Sequence, residues 1–524
     1  MNFLAKHKKI QRVVHGFFGL IFTPLKWRRY IAFNQKKWKK WKVESPDSEI
    51  IMDNFSQPDW IIPNSFFANV LAKKNNSTIK VFAKRKYLDL FHLEILNSFN
   101  CNDIIIIKLK SLKCKKDRDK LVKRMVQSIK SKQDLFELKV DGIMIGVTIY
   151  ETYLRRGNRT VDVNDKYLLK LISEAAEYFI FWQEYINTNN VSAVLLSHDC
   201  YNKFDILAKI CYNNNIPVYM VNPYNFQVAF EPHSLYKYRF SNYKKVFDTF
   251  SNNRKEEALK LSKDQLNKRL KGEVGVDMRY STASSFTRID GSNSVLKKSN
   301  RLKLVICTHC FFDNPHAYGG MLFIDFFEWL IFLGKISEES DYDWYIKPHP
   351  DYLPGTIEII EDITATYKNI KLINPEISFH QLKREGISFA LTCYGSVGHE
   401  LPLLGINVIN AGYNPHSAYD FNFSPKTLDE YKEYLINLHN IKKNIEVNQI
   451  YEFYYMNYYY HTVDDLFYLS FQRLLDKVQS RGDINWRYSH FLDQHTNDQH
   501  INIIYKMEKF IESGKHGYFL DGPE

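Results

Sequence analysis

The chain has 524 residues, 45% of them hydrophobic, which is too long for one domain and sufficient for two or three cores. Twelve of its 71 lysine and arginine residues fall within the first 43 positions, which contain no acidic residue, and the remainder holds 59 charges of each sign. A formally neutral body argues against an enzyme that binds nucleic acid.

Residues 1–45 are predicted to form a basic, aromatic arm. The longest apolar stretch, VVHGFFGLIFTPL, is about a dozen residues, whereas a helix that crosses a bilayer needs roughly 20. The stretch also lacks the cleavage site of a signal peptide. Such an arm is suited to an anionic membrane surface, and a solvated basic tail is the alternative. We therefore expect a cytoplasmic protein, peripheral on the inner face of the plasma membrane, whose fold survives removal of Met1–Val43.

The first α/β unit is predicted over residues 46–285. Two apolar runs with β-branched residues, CNDIIIIKLK at 101–110 and VSAVLLSHD at 191–199, are typical of buried strands. A helical pattern at about 164–187 lies between them, and the helix KFDILAKICYNNN and the strand IPVYMVN follow. Strands that alternate with helices predict a parallel sheet.

A second α/β unit is predicted over residues 301–440, after a polar linker at 286–300. The runs RLKLVICTHC, YDWYIK, NIKLINP, ISFALTC and INVINAG predict strands, and GGMLFIDFFEWLIFLGK, SFHQLKREG and VGHELPLLG predict helices. Residues 441–524 are predicted to form a helical tail that packs across the domains. Two such units predict a cleft, with ligands beyond the carboxyl ends of the strands.

Polar residues follow the predicted strands of the second unit, where the ends of parallel strands share one edge. His349 lies between two prolines, which leave its backbone little freedom. A Gly-Ser step that opens a helix offers N–H groups and a hydroxyl to a phosphate. Glu400, one turn further, is placed to accept hydrogen bonds from a ribose. The residues expected to bind a nucleotide at this edge are His316, Lys347, Gly395, Ser396, Glu400 and Asn410, beside His349.

These residues carry a resemblance to a known class of enzymes. The stretch ALTCYGSVGHELPLLGINVINAG resembles the C-terminal domain of GT-B glycosyltransferases, in which a Glu followed by x4-G-x2-V-I holds the nucleotide ribose. YIKPHP resembles the His-Pro motif of bacterial capsule and surface-polysaccharide transferases, such as the Kdo and sialyl-type enzymes and, more distantly, the teichoic-acid glycerophosphotransferases. HCFFDNPHAYGGMLFIDFFEWL and GYNPHSAYDFNFSPKTLDEY resemble surface-carbohydrate biosynthesis proteins of this type. The resemblance covers about 300–435 well and 133–226 more thinly.

The resemblance implies a GT-B architecture, with two Rossmann-like domains whose parallel sheets face a central cleft and a helical C-terminal tail. It implies a nucleotide-sugar donor in the second domain, with His349, Gly395 and Ser396 at its phosphate and Glu400 at its ribose. A glycan or lipid-linked glycan acceptor would occupy the first domain. A histidine beside a departing phosphate can offset the charge that develops there.

The first domain is then expected to supply the base that takes the proton of the acceptor hydroxyl. The candidates are Asp141 in VDG, Glu151 in TIYETYLRR and His198 in SHD. Sialyl-type members carry an acidic-acidic-Gly motif here, whereas VDG has a single acid. The alternatives are an ion pair between Glu151 and Arg155, one helical turn on, and a His198 that merely caps a strand end.

Neither a metal nor another cofactor is expected. The seven cysteines are scattered and odd in number, as is typical of reduced thiols in the cytoplasm. CTHC at 307–310 lacks a second cysteine pair to complete four zinc ligands. DYD at 341–343 has DxD spacing but precedes its strand, so we interpret it as a solvated turn. GT-B enzymes generally need no metal, and the resemblance implies the same here.

The resemblance favours a glycosyltransferase that builds capsular or lipopolysaccharide glycan from a nucleotide sugar, with a CMP-linked donor slightly favoured by the His-Pro motif. Two alternatives keep the fold but change the reaction: a polyol-phosphate transferase that uses CDP-glycerol, and a nucleotide-sugar epimerase of GT-B shape. A non-catalytic scaffold at the membrane surface is a third alternative. The sequence leaves the donor sugar, the acceptor and the linkage open.

Overall fold

Two β-sheets with helices on both faces form the cores of the protein. The computed structural model describes residues 25–55, 57–83, 90–101, 103–109, 111–222, 225–232, 234–277, 282–287, 294–460, 467 and 484–514. Within these ranges one sheet has six strands and the other five. None of the described helices has the length and apolar composition needed to cross a membrane.

The strands of the first domain are β1 (Ser48–Asp53), β2 (Ser77–Ala83), β3 (Asp103–Ile106), β4 (Lys139–Val140), β5 (Ile143–Met144), β6 (Val191–Leu196), β7 (Val218–Val221) and β8 (Phe226–Ala229). The main sheet has the order β3-β2-β1-β6-β7-β8 and is parallel except for β8, while β4 and β5 form a separate hairpin. The adjacent residues Ile50 and Ile51 belong to different cores. Both faces of the sheet are therefore buried, which explains the continuous apolar runs of its strands.

The helices of this part are α1 (Leu25–Trp38), α2 (Pro58–Lys74), α3 (Leu90–Ser98), α4 (Leu112–Ser128), α5 (Lys132–Phe136), α6 (Gly146–Leu154), α7 (Lys166–Thr188), α8 (Ile206–Asn213), α9 (Ser234–Asp248) and α10 (Asn252–Leu270). A 3-10 turn (Lys39–Trp41) follows α1, and a π-helical turn (Tyr201–Asp205) precedes α8. α7 begins where the Asp165 carboxylate accepts a hydrogen bond from the Tyr167 N–H at 2.8 Å. The helices and strands predicted between residues 101 and 221 are confirmed, with small shifts at their ends.

The second sheet contains β9 (Lys303–Cys307), β10 (Asp343–Lys347), β11 (Ile370–Leu372), β12 (Ile387–Thr392) and β13 (Asn407–Asn410). Its order is β11-β10-β9-β12-β13, and all the strand pairs are parallel. Lys347 lies opposite Cys307, and Thr392 lies opposite Asn410. The carboxyl ends of neighbouring strands are therefore level, so that the loops after them meet at one edge.

The remaining helices are α11 (Phe326–Glu339), α12 (Thr356–Thr366), α13 (Phe379–Arg384), α14 (Val397–Glu400), α15 (Leu428–Ile436), α16 (Val447–Tyr458), α17 (Ile484–Gln494) and α18 (Asn497–Ser513), with a 3-10 turn (Leu401–Leu404) after α14. The helix predicted for GGMLFIDFFEWLIFLGK starts only at Phe326. Asp325 is its N-cap and accepts a hydrogen bond from the Glu328 N–H at 2.7 Å. Gly319 and Gly320 have φ values of 69° and 66°, which do not continue into a right-handed helix.

α1 differs from the predicted membrane arm. Tyr30 and Trp38 are completely buried in the core on one face of the first sheet, where Trp38 lies edge-on to Phe66 at 4.6 Å. These rings stabilise the first domain instead of facing lipid, because a buried indole removes a large apolar area from water. The expectation that the fold survives removal of Met1–Val43 is therefore wrong. The part of the arm at 1–24 lies outside the described residues.

The predicted helical tail is confirmed, and it contacts both domains. α16 packs along α9 and α10, and its Phe453 shares a core with Phe421 of the second domain. α17 and α18 then return to the first domain, where Phe491 and Phe510 join the core that holds Trp38. The tail thus begins beside α9, α10 and the second domain, and it ends against the sheet of the first domain.

Parts of the predicted linker at 286–300 are packed. Phe286 and Leu296 are 1% and 4% exposed and belong to a core that includes Val305 of β9. Two further polar contacts hold this stretch: the Leu296 N–H donates to Glu385 at 2.6 Å, and the Lys297 N–H donates to the Tyr345 hydroxyl at 2.9 Å. These residues are built into the second domain.

The burial of Trp38 leads to a stability prediction. Trp38→Ala should lower the free energy of unfolding by about 3–5 kcal/mol, the usual cost of emptying a large aromatic site in a core. Urea denaturation followed by circular dichroism measures this change. Lys40→Ala, at an exposed position two residues away, is the matched control and should change stability by less than about 0.5 kcal/mol. Equal effects of the two substitutions would contradict the packing of α1.

Candidate functional site

A crevice of about 300 Å³ opens at the carboxyl edge of the second sheet. It lies where the loops after β9, β10 and β12 meet α13 and the segment that precedes β9. Its lining comprises Ser285, Cys307, Thr308, His309, Lys347, Pro348, His349, Phe379, Thr392, Tyr394, Gly395, Ser396 and Val397. Four residues predicted to bind a nucleotide or to take part in catalysis, Lys347, His349, Gly395 and Ser396, are brought together here.

His349 stands at the mouth of the crevice with its imidazole fixed by one hydrogen bond. The Asp351 backbone N–H donates to Nδ1 at 3.0 Å, so the neutral ring carries its proton on Nε2. Nε2 has no hydrogen-bond partner within the described ranges. Although the residue is exposed, surrounding protein desolvates the ring and lowers its pKa, and Asp351 and Glu400 oppose this shift. A neutral His349 therefore offers one N–H donor to a ligand.

Two buried polar groups lie in the same crevice. Lys347 is 2% exposed, its Nζ donates to the Pro375 carbonyl at 2.6 Å, and burial lowers the pKa of its ammonium to about 8. The Thr308 hydroxyl is buried and has no hydrogen-bond partner in the described part of the chain. A buried hydroxyl without a partner is unfavourable, so a ligand that accepts a hydrogen bond from it is favoured.

His309 supports the turn that leads into α14. Its Nε2 accepts a hydrogen bond from the Cys393 N–H at 3.1 Å, and its ring stacks on Phe326 at 4.9 Å. The proton of the neutral ring therefore lies on Nδ1. Burial lowers the pKa of His309 to about 3, and His349 adds to the shift, so the ring stays neutral at physiological pH. Sequence reasoning missed this residue, because CTHC was considered only as a zinc motif.

The Gly395-Ser396 step is a tight turn. A Cβ at position 395 would lie 2.9 Å from the Thr392 hydroxyl oxygen, to which the Gly395 N–H donates at 3.2 Å. That N–H is already used within the turn and is not free for a phosphate. Ser396 makes no side-chain capping hydrogen bond at the start of α14. Because α14 has only four residues, the hydroxyl of Ser396, and not a helix dipole, is the group available to a ligand.

Glu400 lies next to the crevice but is already engaged. It is 1% exposed, and its Oε1 accepts a hydrogen bond from Nε of Arg269, near the end of α10. Both residues line a cavity of about 30 Å³ that adjoins the crevice at His349 and Ser396. Oε2 takes part in no hydrogen bond among the described residues. No local sequence pattern indicates Arg269, because it lies 131 residues before its partner.

The segment between α10 and β9 forms one wall of the crevice. Ser285 lines it, and the Ser285 carbonyl accepts a hydrogen bond from the Phe379 N–H at 3.0 Å. The Thr282 N–H donates to the Asp351 carboxylate at 2.9 Å. Because the Asp351 backbone fixes His349, this segment also helps to orient the histidine.

Besides Glu400, two of the predicted nucleotide-binding residues lie outside the crevice lining. His316 is 7% exposed at the domain interface, where its Nε2 donates to the Ile324 carbonyl at 2.9 Å and its ring lies 4.7 Å from that of Phe136. Asn410 is fully buried at the end of β13, and its Nδ2 donates to the Ser424 hydroxyl at 3.5 Å. The crevice lies over β9, β10 and β12, so the end of the edge strand β13 does not reach it.

Glu151 is buried in the first domain, on α6. It is 3% exposed, and its Oε1 has no hydrogen-bond partner among the described residues. Burial raises the pKa of this carboxyl well above its usual range, Asp205 adds to the shift, and Lys209 opposes it. The predicted alternative, an ion pair with Arg155, is not formed, since Arg155 lies 3.8 Å from Asp313 of the second domain.

His198 lies beyond the end of β6, facing the second domain. Its ring is 4.5 Å from that of Phe204, and burial lowers its pKa to about 4, with Lys203 adding to the shift. Asp313, across the interface, opposes the shift. Tyr394, which lines the crevice, donates to the Asn314 carbonyl at 3.1 Å. The loop that follows β9 therefore lies between the crevice and the candidate bases of the first domain.

Asp141 has a local structural role. It occupies the turn of the β4–β5 hairpin with a φ of 50°, and Gly142 follows with a φ of 83°, as in a type I′ turn. Its side chain is 67% exposed and lies 3.8 Å from Arg124. The Asp-Gly pair therefore meets the requirements of a turn, and the structure adds no feature that favours Asp141 as a base.

In the described ranges no three His, Cys, Asp or Glu side chains are grouped so as to hold a metal ion. Asp341 is exposed and 3.9 Å from His439, while the Asp343 carboxylate accepts a hydrogen bond from Ser299. The two acids of DYD thus have separate surroundings at the amino end of β10.

No protein-family model matches the chain, and no curated protein sequence matches it. Among solved structures, the chain is similar to KpsC of Thermosulfurimonas dismutans, a beta Kdo 2,4 transferase, with 14% identity, 51% of this chain and 79% of that chain covered, and a TM-score of 0.29. The chain is also similar to UDP-GlcNAc 2-epimerase from Neisseria meningitidis, with 11% identity, 77% of this chain and 97% of that chain covered, and a TM-score of 0.23. A third similar structure is MurG of Acinetobacter baumannii, with 10% identity, 88% of this chain and 100% of that chain covered, and a TM-score of 0.19.

These similarities carry no argument about activity, and the fold assignment rests on the sheets themselves. Two mainly parallel α/β sheets of six and five strands, each covered by helices, form the two-Rossmann-like-domain architecture of the GT-B enzymes. The predicted fold class is confirmed. Transferases and epimerases share this architecture, so the reaction has to be inferred from the site.

The buried neutral state of His309 leads to a pH prediction. A histidine whose pKa is lowered by folding contributes stability above the unfolded pKa, near 6.5, and loses it as the pH falls. Acidification from pH 7 to pH 5 should therefore cost about 2 kcal/mol through His309. His309→Gln can retain an acceptor near the position of Nε2 without titrating, so its loss of stability should be smaller by that amount. Urea denaturation at both pH values measures the difference, and equal losses in the two proteins would contradict it.

Proposed function

We propose that the protein is a glycosyltransferase that uses a nucleotide-activated sugar to build a capsular or lipopolysaccharide glycan at the cytoplasmic face of the membrane. The observation that carries the proposal is the crevice, in which hydrogen-bond donors from separate strand ends converge. A CMP-linked donor is favoured by the resemblance of YIKPHP to the His-Pro motif of the Kdo and sialyl-type transferases.

The chemistry of the crevice suits a phosphate ester. The available donors are the Nε2–H of His349, the Nδ1–H of His309, the ammonium of Lys347 and the hydroxyls of Thr308 and Ser396. Among the described residues that line the crevice, none has an acidic side chain. A phosphate offers only acceptors and negative charge, so this set of groups matches it. Glu400, in the adjoining cavity, is the proposed acceptor for the ribose hydroxyls.

In the proposed reaction an acceptor hydroxyl attacks the anomeric carbon of the sugar. The bond between that carbon and the phosphate oxygen breaks, and the nucleotide leaves with the electron pair. His349 donates a hydrogen bond to the phosphate and so stabilises the charge that develops on it. A base in the first domain takes the proton of the acceptor hydroxyl.

Glu151 and His198 remain the candidates for that base. Glu151 has a raised pKa and an oxygen without a hydrogen bond among the described residues, and a raised pKa makes a carboxylate a stronger base. His198 has a pKa lowered to about 4, so it is neutral at pH 7 but a weak base. We therefore favour Glu151, and we propose that Asp141 serves only the hairpin turn.

Membrane attachment is part of the proposal. The described part of the basic segment exposes Arg28, Arg29, Lys36, Lys39, Lys40 and Lys42. α4 adds Lys113, Lys116, Lys120 and Lys123, which are spaced to share one exposed side of that helix. Exposed cations on two elements of the first domain support contact with an anionic lipid surface.

Incubation of the protein and membrane lipid acceptor with radiolabelled CMP-, UDP- and GDP-sugars, and separately with CDP-glycerol, tests the proposal. Transfer of label to lipid or glycan is expected. Isomerisation of the nucleotide sugar would indicate an epimerase, and transfer from CDP-glycerol would indicate a polyol-phosphate transferase. A folded protein that binds none of these nucleotides and transfers nothing would leave a scaffold at the membrane surface as the remaining function.

His349→Asn should lower turnover by about a hundredfold, the usual scale for one electrostatic or acid–base group. Asparagine can place its Oδ1 near the position of Nδ1 and keep the hydrogen bond with the Asp351 N–H, while losing the donor at Nε2. The melting temperature should therefore hardly change. Initial rates at saturating donor measure turnover. Full activity of a folded His349→Asn protein would mean that the histidine only shapes the turn.

Reversal of four exposed cations, Lys36, Lys39, Lys40 and Lys42 to Glu, should reduce binding to vesicles that contain phosphatidylglycerol. The expected loss is about 1 kcal/mol or more per residue, since each cation near an anionic surface contributes about that amount. Co-sedimentation at low salt measures it. The matched control reverses the exposed Lys260, Lys263, Lys268 and Lys271. Equal binding of the two variants would argue against the proposed surface.

A further inference from the structure

A buried ion pair joins α10 to the edge of the crevice. The side chains of Arg269 and Glu400 are 12% and 2% exposed, and Nε of Arg269 donates to Oε1 of Glu400. Arg269 also donates through Nη1 to the Val276 carbonyl at 3.4 Å. The guanidinium is therefore held by a backbone carbonyl as well as by the Glu400 carboxylate.

The element that supplies Arg269 is itself fixed to the second domain. His380 of α13 donates through Nε2 to the Leu270 carbonyl at the end of α10, at 2.7 Å. α10 also packs along α16. Arg269 thus reaches Glu400 from outside the second sheet, on a helix that is held by one contact with that domain and one with the tail.

We propose that Arg269 is a positioning residue, which holds Oε1 of the buried Glu400 carboxylate so that Oε2 remains free to accept hydrogen bonds from the nucleotide ribose. This inference rests on the proposed donor site. According to this inference the end of α10 contributes to nucleotide affinity, although no sequence motif indicates it.

The charges around Glu400 show why it needs a partner. Glu273 lines the same cavity as Glu400. Three further titratable groups lie near Glu400: His349 from the loop after β10, Cys307 from β9 and Tyr458 from α16. Burial lowers the pKa of His349 and raises the pKa of Cys307 and of Tyr458, so all three are uncharged at neutral pH. Among these groups Arg269 is the one that carries a full positive charge.

Loss of the guanidinium would leave the Glu400 carboxylate buried without a cation, which is unfavourable. Without the hydrogen bond at Oε1 the carboxylate would also lose its fixed orientation. Nucleotide affinity would then fall through Glu400, and a lysine at position 269, which retains the cation, would restore much of it.

Titration calorimetry with CMP, UDP and GDP tests the inference. Arg269→Gln should bind nucleotide about tenfold more weakly than the wild type, because the charge-assisted hydrogen bond that orients Glu400 is lost. Arg269→Lys retains a positive charge and should restore much of the wild-type affinity. Glu400→Gln should also bind more weakly than the wild type.

A double variant provides a second test, in which no buried charge is left without its partner. Arg269→Gln with Glu400→Gln should bind nucleotide as well as Glu400→Gln alone, because Arg269 acts through Glu400. A further loss in the double variant would mean that Arg269 contacts the nucleotide directly and would overturn the inference. Wild-type nucleotide affinity of a folded Arg269→Gln protein would overturn it as well. Absence of nucleotide binding by the wild type would overturn the proposed function, and this inference with it.

Discussion

The site depends on the register of the second sheet, which places the ends of β9, β10 and β12 level with one another. Because Lys347 lies opposite Cys307, the residues that follow, Thr308 and Pro348, start their loops from the same edge. The loop after β12 then brings Ser396 to the same crevice. A slip of one residue in any of these strands would move its side chains to the opposite face of the sheet and separate the donors. The register, which the apolar cores on both faces fix, therefore positions the chemistry.

Desolvation determines which groups in the crevice carry charge. It lowers the pKa of Lys347, His309 and His349. The two histidines therefore act as neutral hydrogen-bond donors, each oriented by a backbone N–H that occupies its other nitrogen. Lys347 remains the cation of the crevice below its pKa of about 8. A site of this kind can recognise an anion through fixed donors without an excess of positive charge across the domain, in agreement with the formally neutral body of the chain.

The features that the sequence predicted are those set by local pattern. Continuous apolar runs located β9, β10, β12 and β13, and the prolines around His349 marked the end of β10. Features that depend on distant parts of the chain were missed: the contact of Arg269 with Glu400 and the burial of Trp38 among residues of the tail. Asn410 was expected at the crevice but lies away from it, because β13 is at the edge of the sheet. The order of strands in a sheet cannot be predicted from local sequence. Asp141 resembled a catalytic acid, yet its position in a two-residue hairpin explains an Asp-Gly pair.

The return of α17 and α18 to the first domain affects the order in which the domains mature during synthesis. All strands of the second sheet lie between residues 303 and 410, so that sheet can close while the chain is still being translated. The core around Trp38 lacks Phe491 and Phe510 until α18 has left the ribosome. The domain that is translated first is therefore completed last, and its apolar face is exposed for most of translation. Chaperone binding to nascent chains should accordingly concentrate on the first domain.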